Sequence, residues 1–232
     1  MQSDEPGSIH PEIVDARLDD PMVGAAEDDL WHRVREDPND RAAFSELVEL
    51  MRRRGVARHG EGDEPHVADD ATWALAEELA HSARAWYPLV ELARLSMGMH
   101  HEGALSRLTT AVSRDPSGQA LEASVDVLRE SGTPQEAHAF GVGHWRPTEH
   151  VVGAGRSVIL AAIEADRPGD VHAHWVAMLG HPDTVGLAQV QRELAERVEE
   201  ILAAGPRTGG LQIDLITDLR DRIVLPRQGS GG

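Results

Sequence analysis

Lysine and cysteine are both missing from this 232-residue chain, and aromatics are scarce, at five Trp, two Phe and one Tyr. Without Cys there is no disulfide framework, thiolate nucleophile, iron–sulfur cluster or Cys-ligated zinc. Without Lys there is no P-loop lysine, kinase lysine or Schiff base, and so no pyridoxal-phosphate chemistry. No run approaches the roughly 20 consecutive apolar residues of a membrane helix. Residues 1–21 carry neither a basic nor an apolar leader segment, so no signal peptide is expected. Positive charge is scarce too: 22 Arg face 40 acids, for a formal net charge of −18. Such a chain is expected to avoid nucleic-acid phosphates and anionic membrane surfaces. Carrying all its fixed positive charge on Arg fits codon usage in a GC-rich bacterial genome, and the expected location is the cytoplasm.

The acidity is uneven. Residues 1–30 hold nine acids (Asp4, Glu5, Glu12, Asp15, Asp19, Asp20, Glu27, Asp28, Asp29) against Arg17, a balance of −8, with Pro6, Pro11 and Pro21 among them. So little apolar surface cannot offset the entropy of ordering, which predicts disorder over 1–27. The polar stretch 55–69 (GVARHGEGDEPHVAD) predicts a mobile loop, and 227–232 (RQGSGG) a flexible tail.

Between these, apolar residues recur at helical spacing, predicting an all-α fold. Asp40 caps a helix carrying Ala43, Phe44, Leu47, Leu50 and Met51, with Gly55 as its expected stop. Asp69 or Asp70 opens the next, with Trp73, Ala76, Leu79 and Ala80 on one face. Further helices are predicted over 86–97, 102–114, 121–132, 148–165, 170–179 and 184–204. Another starts at Thr133-Pro134-Gln135-Glu136, which spells a capping box with Pro at the first helical position. Leu211, Leu215, Leu219 and Ile223 predict an amphipathic helix within 205–226.

An internal repeat runs through these helices. Phe44 to Arg52 (FSELVELMR) and Trp86 to Arg94 (WYPLVELAR) share an aromatic, then LVEL, then Arg, at an offset of 42. Pro38, Ala80, Pro116, Pro147 and Pro182 mark a series spaced 42, 36, 31 and 35 apart, the longest gap holding the polar stretch. A two-helix period near 34 ended by proline resembles the tetratricopeptide repeat. Met99 or Gly98 through Ala104, Leu108, Ala111 and Asp115-Pro116 looks like the second helix of such a unit, and Trp86 lies where the first helix often has an aromatic. The Leu-Gly and Tyr positions of the first helix are not kept. The resemblance covers 28–204 and implies antiparallel helix pairs stacked as an α-solenoid, the alternative being an irregular helical bundle. Small residues at Ala104, Ala111, Ala120 and Ala137 would let the helices approach closely. The resemblance also implies a groove of first helices that binds a protein or peptide segment.

Catalytic and metal motifs do not assemble at sequence level. Among 13 His, the tightest groupings are His100-His101, His172 and His174 with His181, and His138, His144 and His150. None has the i, i+4 pairing of a zinc helix, and His172 and His174 would point about 200° apart. Gly153-Ala154-Gly155-Arg156 follows no strand and precedes no Lys, so close helix packing is expected there instead of phosphate binding. Arg52-Arg53-Arg54 is the only basic run and is expected to complement the end of its helix. No metal, no cofactor and no enzymatic activity are expected. The sequence predicts a scaffold or adaptor, with Phe44, Arg52, Arg84, Trp86, Arg94, Arg129 and Trp145 as partner-binding candidates. The alternative is a helical-bundle metal binder or enzyme using His and carboxylates.

Overall fold

The computed structural model describes residues 21–59 and 64–203. Among them are ten helices and no strand: α1 Pro21–Glu36, α2 Arg41–His59, α3 Glu64–Ala80, α4 Tyr87–Ser96, α5 His101–Arg114, α6 Gln119–Glu130, α7 Pro134–His144, α8 Val152–Glu164, α9 Pro168–Met178 and α10 Thr184–Ala203. The all-α class is as expected. Segments 1–20 and 204–232, with the predicted helix near Leu211–Ile223 and the predicted tail, lie outside the described residues. The chain forms two compact units divided between Leu95 and Ser96.

In the first unit the core is built by Leu30 and Val34 of α1, Ala43, Phe44 and Leu47 of α2, Leu75, Ala76 and Leu79 of α3, and Leu92 of α4. Asp40 caps α2 as expected, its Oδ1 accepting the Ala43 N–H at 3.0 Å while Oδ2 accepts from Arg33 at 2.8 Å. Three boundaries differ from expectation. Helix α1 starts at Pro21, inside the segment predicted to be disordered, because Leu30 and Val34 bury against α2 and Glu27 pairs with Arg54. Helix α2 runs through Gly55 to His59, and α3 already begins at Glu64, so most of the predicted loop 55–69 is helical. A mid-helix Gly costs only about 1 kcal/mol, and the packing of α2 on both α1 and α3 outweighs it. The Arg run consequently does not end its helix: Arg52 and Arg53 bind Glu49, and Arg54 binds Glu27.

The second unit is organised around α8, where Val152, Ala154, Gly155, Ser157, Val158, Ile159, Ala161 and Ala162 are all buried. Its principal partners are α6, α7, α9 and α10. Ala104, Ala111, Ala120 and Ala137 are fully buried, as their close-approach role requires. Two glycines of α8 also stand in close contact with side chains. A methyl at Gly155 would lie 2.6 Å from Met178 Sδ and 2.8 Å from the Trp145 ring, and one at Gly153 would collide with Glu122. The GAGR stretch is therefore a packing surface inside α8.

All five sequence landmarks fall just before even-numbered helices: Pro38 before α2, Ala80 at the end of α3, and Pro116, Pro147 and Pro182 before α6, α8 and α10. Helices α7 and α9 each open on a proline, Pro134 and Pro168, 34 residues apart. In the second unit successive turns are stitched together. The Val151 N–H donates to the Ser117 carbonyl at 2.8 Å, and His181 Nε2 donates to the His150 carbonyl at 2.9 Å. Gly118 stands under this stitch at φ +86°, where a Cβ would lie 2.5 Å from His150. Asp115 closes the same turn, accepting from Ser117 N and Oγ and from the Ala120 N–H at 2.7 Å.

The predicted capping box at 133–136 does not form. Thr133 Oγ1 donates instead to the Leu128 carbonyl at 3.0 Å, and Glu136 reaches His101 Nε2 at 2.8 Å. Pro134 at the first helical position, as expected, still starts α7, and Gly132 ends the preceding segment at φ +79°.

Candidate functional site

Two prolines place two histidines. Pro134 starts α7 so that His138 comes just over one turn in, and Pro168 starts α9 so that His174 comes nearly two turns in. The helices bring the rings together with Nε2 3.0 Å from Nε2, centroids 5.3 Å apart and planes tilted by 49°. At that distance one nitrogen donates and the other accepts, so at least one ring is neutral. His138 is buried, at 7% exposure, and the Trp145 ring stands edge-on to His174 with centroids 5.5 Å apart. Asp170 on α9 lies at the rim, its Oδ2 3.9 Å from His138 Nε2 and 3.7 Å from Arg167.

The electrostatics disfavour a second proton. Burial pushes His138 below the ordinary histidine value, Arg167 adds to this, and Asp170 opposes it. Burial also lowers His174, the charge of His138 adds to this, and Asp170 again opposes it. The arrangement can hold one proton between two imidazoles. Neutral imidazole nitrogens are also metal ligands, but among the described residues no three His, Asp or Glu groups converge to hold an ion.

The seven partner-binding candidates are distributed over both units. Phe44 and Trp86 are in the first unit's core, at 2% and 6% exposure, each edge-on to Tyr87. Arg84 is exposed and donates to the Glu36 carbonyl at 2.9 Å. Arg52 and Arg94 sit three residues after Glu49 and Glu91 and contact them at 2.8 and 3.7 Å, so the repeated LVEL-x-R segments build equivalent pairs. Arg129 is committed to Asp126 and to Glu164 of α8, both at 2.7 Å. Trp145 is half-buried, as expected of a helix end, against His174 and Gly155.

Sequence reasoning did not single out Asn39 or Arg41. Asn39 Oδ1 accepts the N–H groups of Trp86 and Tyr87 while its Nδ2 donates to the Arg84 carbonyl. Arg41 lies over the Trp86 and Tyr87 rings at 5.1 and 5.3 Å. Burial, with Glu91 alongside, pushes the Tyr87 hydroxyl up to about 12. The His138–His174 pair was also missed, because its members fell into different short-range groupings. They stand 36 residues apart on different helices, beyond the reach of any single-helix spacing.

Among the described residues the protein is thus all-helical, with a part-buried histidine pair between two helices of the second unit. No family model, curated protein or solved structure matches the chain. Among the described residues no helix is long and apolar enough to cross a membrane.

Proposed function

We propose that this chain is a non-enzymatic helical-repeat scaffold or adaptor of the bacterial cytoplasm, which binds a protein or peptide segment along a face of its tetratricopeptide-like helix pairs. The observation that carries this reading is the placement of the five landmarks before every second helix, supported by the stitched turns of the second unit. Helix pairs that cannot bury their apolar faces alone gain stability by stacking, and a stacked array offers an extended surface for an extended ligand. The exposed Arg84 and Arg94 supply cations for partner carboxylates, and the acidic surface elsewhere disfavours nucleic acid.

The test is in-cell crosslinking of the full chain, read by mass spectrometry beside the folded double variant Arg84→Glu, Arg94→Glu. A small set of proteins enriched about tenfold by the wild type, equivalent to about 1.4 kcal/mol of binding, is expected. The same proteins captured equally by both chains, or none at all, would count against the reading. A second reading, a metal binder using His and carboxylates, has the His138–His174 pair in its favour. Stoichiometric zinc, nickel or copper in protein purified without a His tag would support it, and metal-free protein would exclude it.

A further inference from the structure

We propose that His138 and His174 form a proton-operated latch between α7 and α9, joining the two helices while they share one proton and driving them apart when each carries its own. The Nε2 atoms meet at 3.0 Å. With one proton shared, that contact is an ordinary N–H···N hydrogen bond across two helices. With two, both nitrogens are donors, neither accepts, and two like charges face each other at hydrogen-bond distance with His138 shielded from water. The pair joins α7 to α9, each of which packs chiefly on α8.

The charged surroundings do not neutralise the second proton. Asp170 favours it from 3.9 Å, but Arg167 holds that carboxylate at 3.7 Å and itself opposes charge on His138. The remaining charges on the packed helices are engaged elsewhere. On α8, Arg156 binds Glu122 and Glu193, and Glu164 binds Arg129. On α6, Asp126 binds Arg129, and on α7, Glu136 binds His101. His144 lies against Phe140 at 4.7 Å, not against the pair, and His172 projects from a different side of α9 than His174. The sign of the effect follows. Histidines lowered in the folded state stabilise it above their unfolded value of about 6.5, and that contribution is lost as pH falls through this value toward the folded one. Trp145, edge-on to His174, would lose a neighbour when the latch opens.

The inference does not depend on what the chain binds. It is tested by hydrogen exchange of the full-length protein, corrected for intrinsic rates, at about pH 7.5 and about pH 5, on either side of histidine titration. Amides of α7 and α9 are expected to exchange at least about tenfold faster at the lower pH, as local opening of the two helices requires. In His138→Gln, which keeps a polar partner for His174 but takes up no proton, that response should shrink to within about twofold. His150, also lowered by burial, remains in this variant and so serves as an internal control. An unchanged wild type, or an equal response in the variant, would overturn the latch. Should His138→Gln fail to fold, His174→Gln repeats the test from the other helix. Should both fail, ring-proton NMR of the wild type decides, because two independent titrations near 6.5 are incompatible with a shared proton. A wild-type response abolished by EDTA would also overturn it, since the pair would then be bridged by a metal ion.

Discussion

His181 holds the carbonyl of His150. Its Nδ1 accepts the Asp183 N–H at 3.0 Å, which leaves the ring proton on Nε2 to donate across 2.9 Å to the preceding turn. Both residues are buried. His181→Ala removes the donor and leaves that buried carbonyl without it, so urea unfolding is expected to register a loss of about 1–3 kcal/mol. A change below about 0.5 kcal/mol, the range of ordinary surface substitutions, would mean that the stitch carries no stability.

Two glycines of the second unit should respond to alanine with opposite signs. Gly155→Ala forces a methyl against Met178 and Trp145 in a filled core, which predicts a loss of about 1–3 kcal/mol. Nothing lies within 4 Å of a methyl at Gly143 of α7, and Gly143→Ala is expected to gain about 0.5–1 kcal/mol. Paired thermal melts decide this, and equal signs would refute the packing described around α8.

Arg129 joins α6 to α8 through two nitrogen–oxygen contacts to Glu164, at 2.9 and 2.7 Å. Burial alone would lower its pKa, but Glu164 and Asp126 outweigh this and raise it. A double-mutant cycle with Arg129→Ala and Glu164→Ala should return a coupling of about 0.5–3 kcal/mol. Additivity would show the pair to be energetically silent.

Stability should also fall at acid pH through Glu49. Hydrogen bonds from Arg52 and then Arg53 lower its carboxyl to about 2. A carboxylate depressed in the folded state contributes above its unfolded value of about 4.3 and loses that contribution as pH falls toward the folded value. Glu49→Gln should therefore flatten the acid limb of a stability profile measured between about pH 5 and about pH 2. Because Glu49 is 40% exposed, the change will be small and will shrink in high salt.

What could be read in advance was periodicity. The even-helix landmarks, the buried alanines, the Asp40 cap and the packing role of Gly153 and Gly155 all follow from spacing and residue size. Local rules failed where tertiary contacts outweighed them. Gly55 did not stop α2, because packing against α1 and α3 outweighs one glycine, and the Thr133 hydroxyl found the end of α6 instead of its own helix. The histidine pair was illegible because short-range spacing tests residues on one helix, whereas His138 and His174 meet across two.

The bond from Val151 to Ser117 uses only backbone atoms. Any residue except proline can supply that N–H, and any residue at all can supply that carbonyl. Saturation mutagenesis should therefore find Val151 permissive to most replacements except proline. Gly118, next to Ser117, should reject nearly every one, because its left-handed backbone and the His150 ring leave no room for a side chain. A joint of this kind carries alignment from turn to turn while leaving almost no trace in the residues that form it.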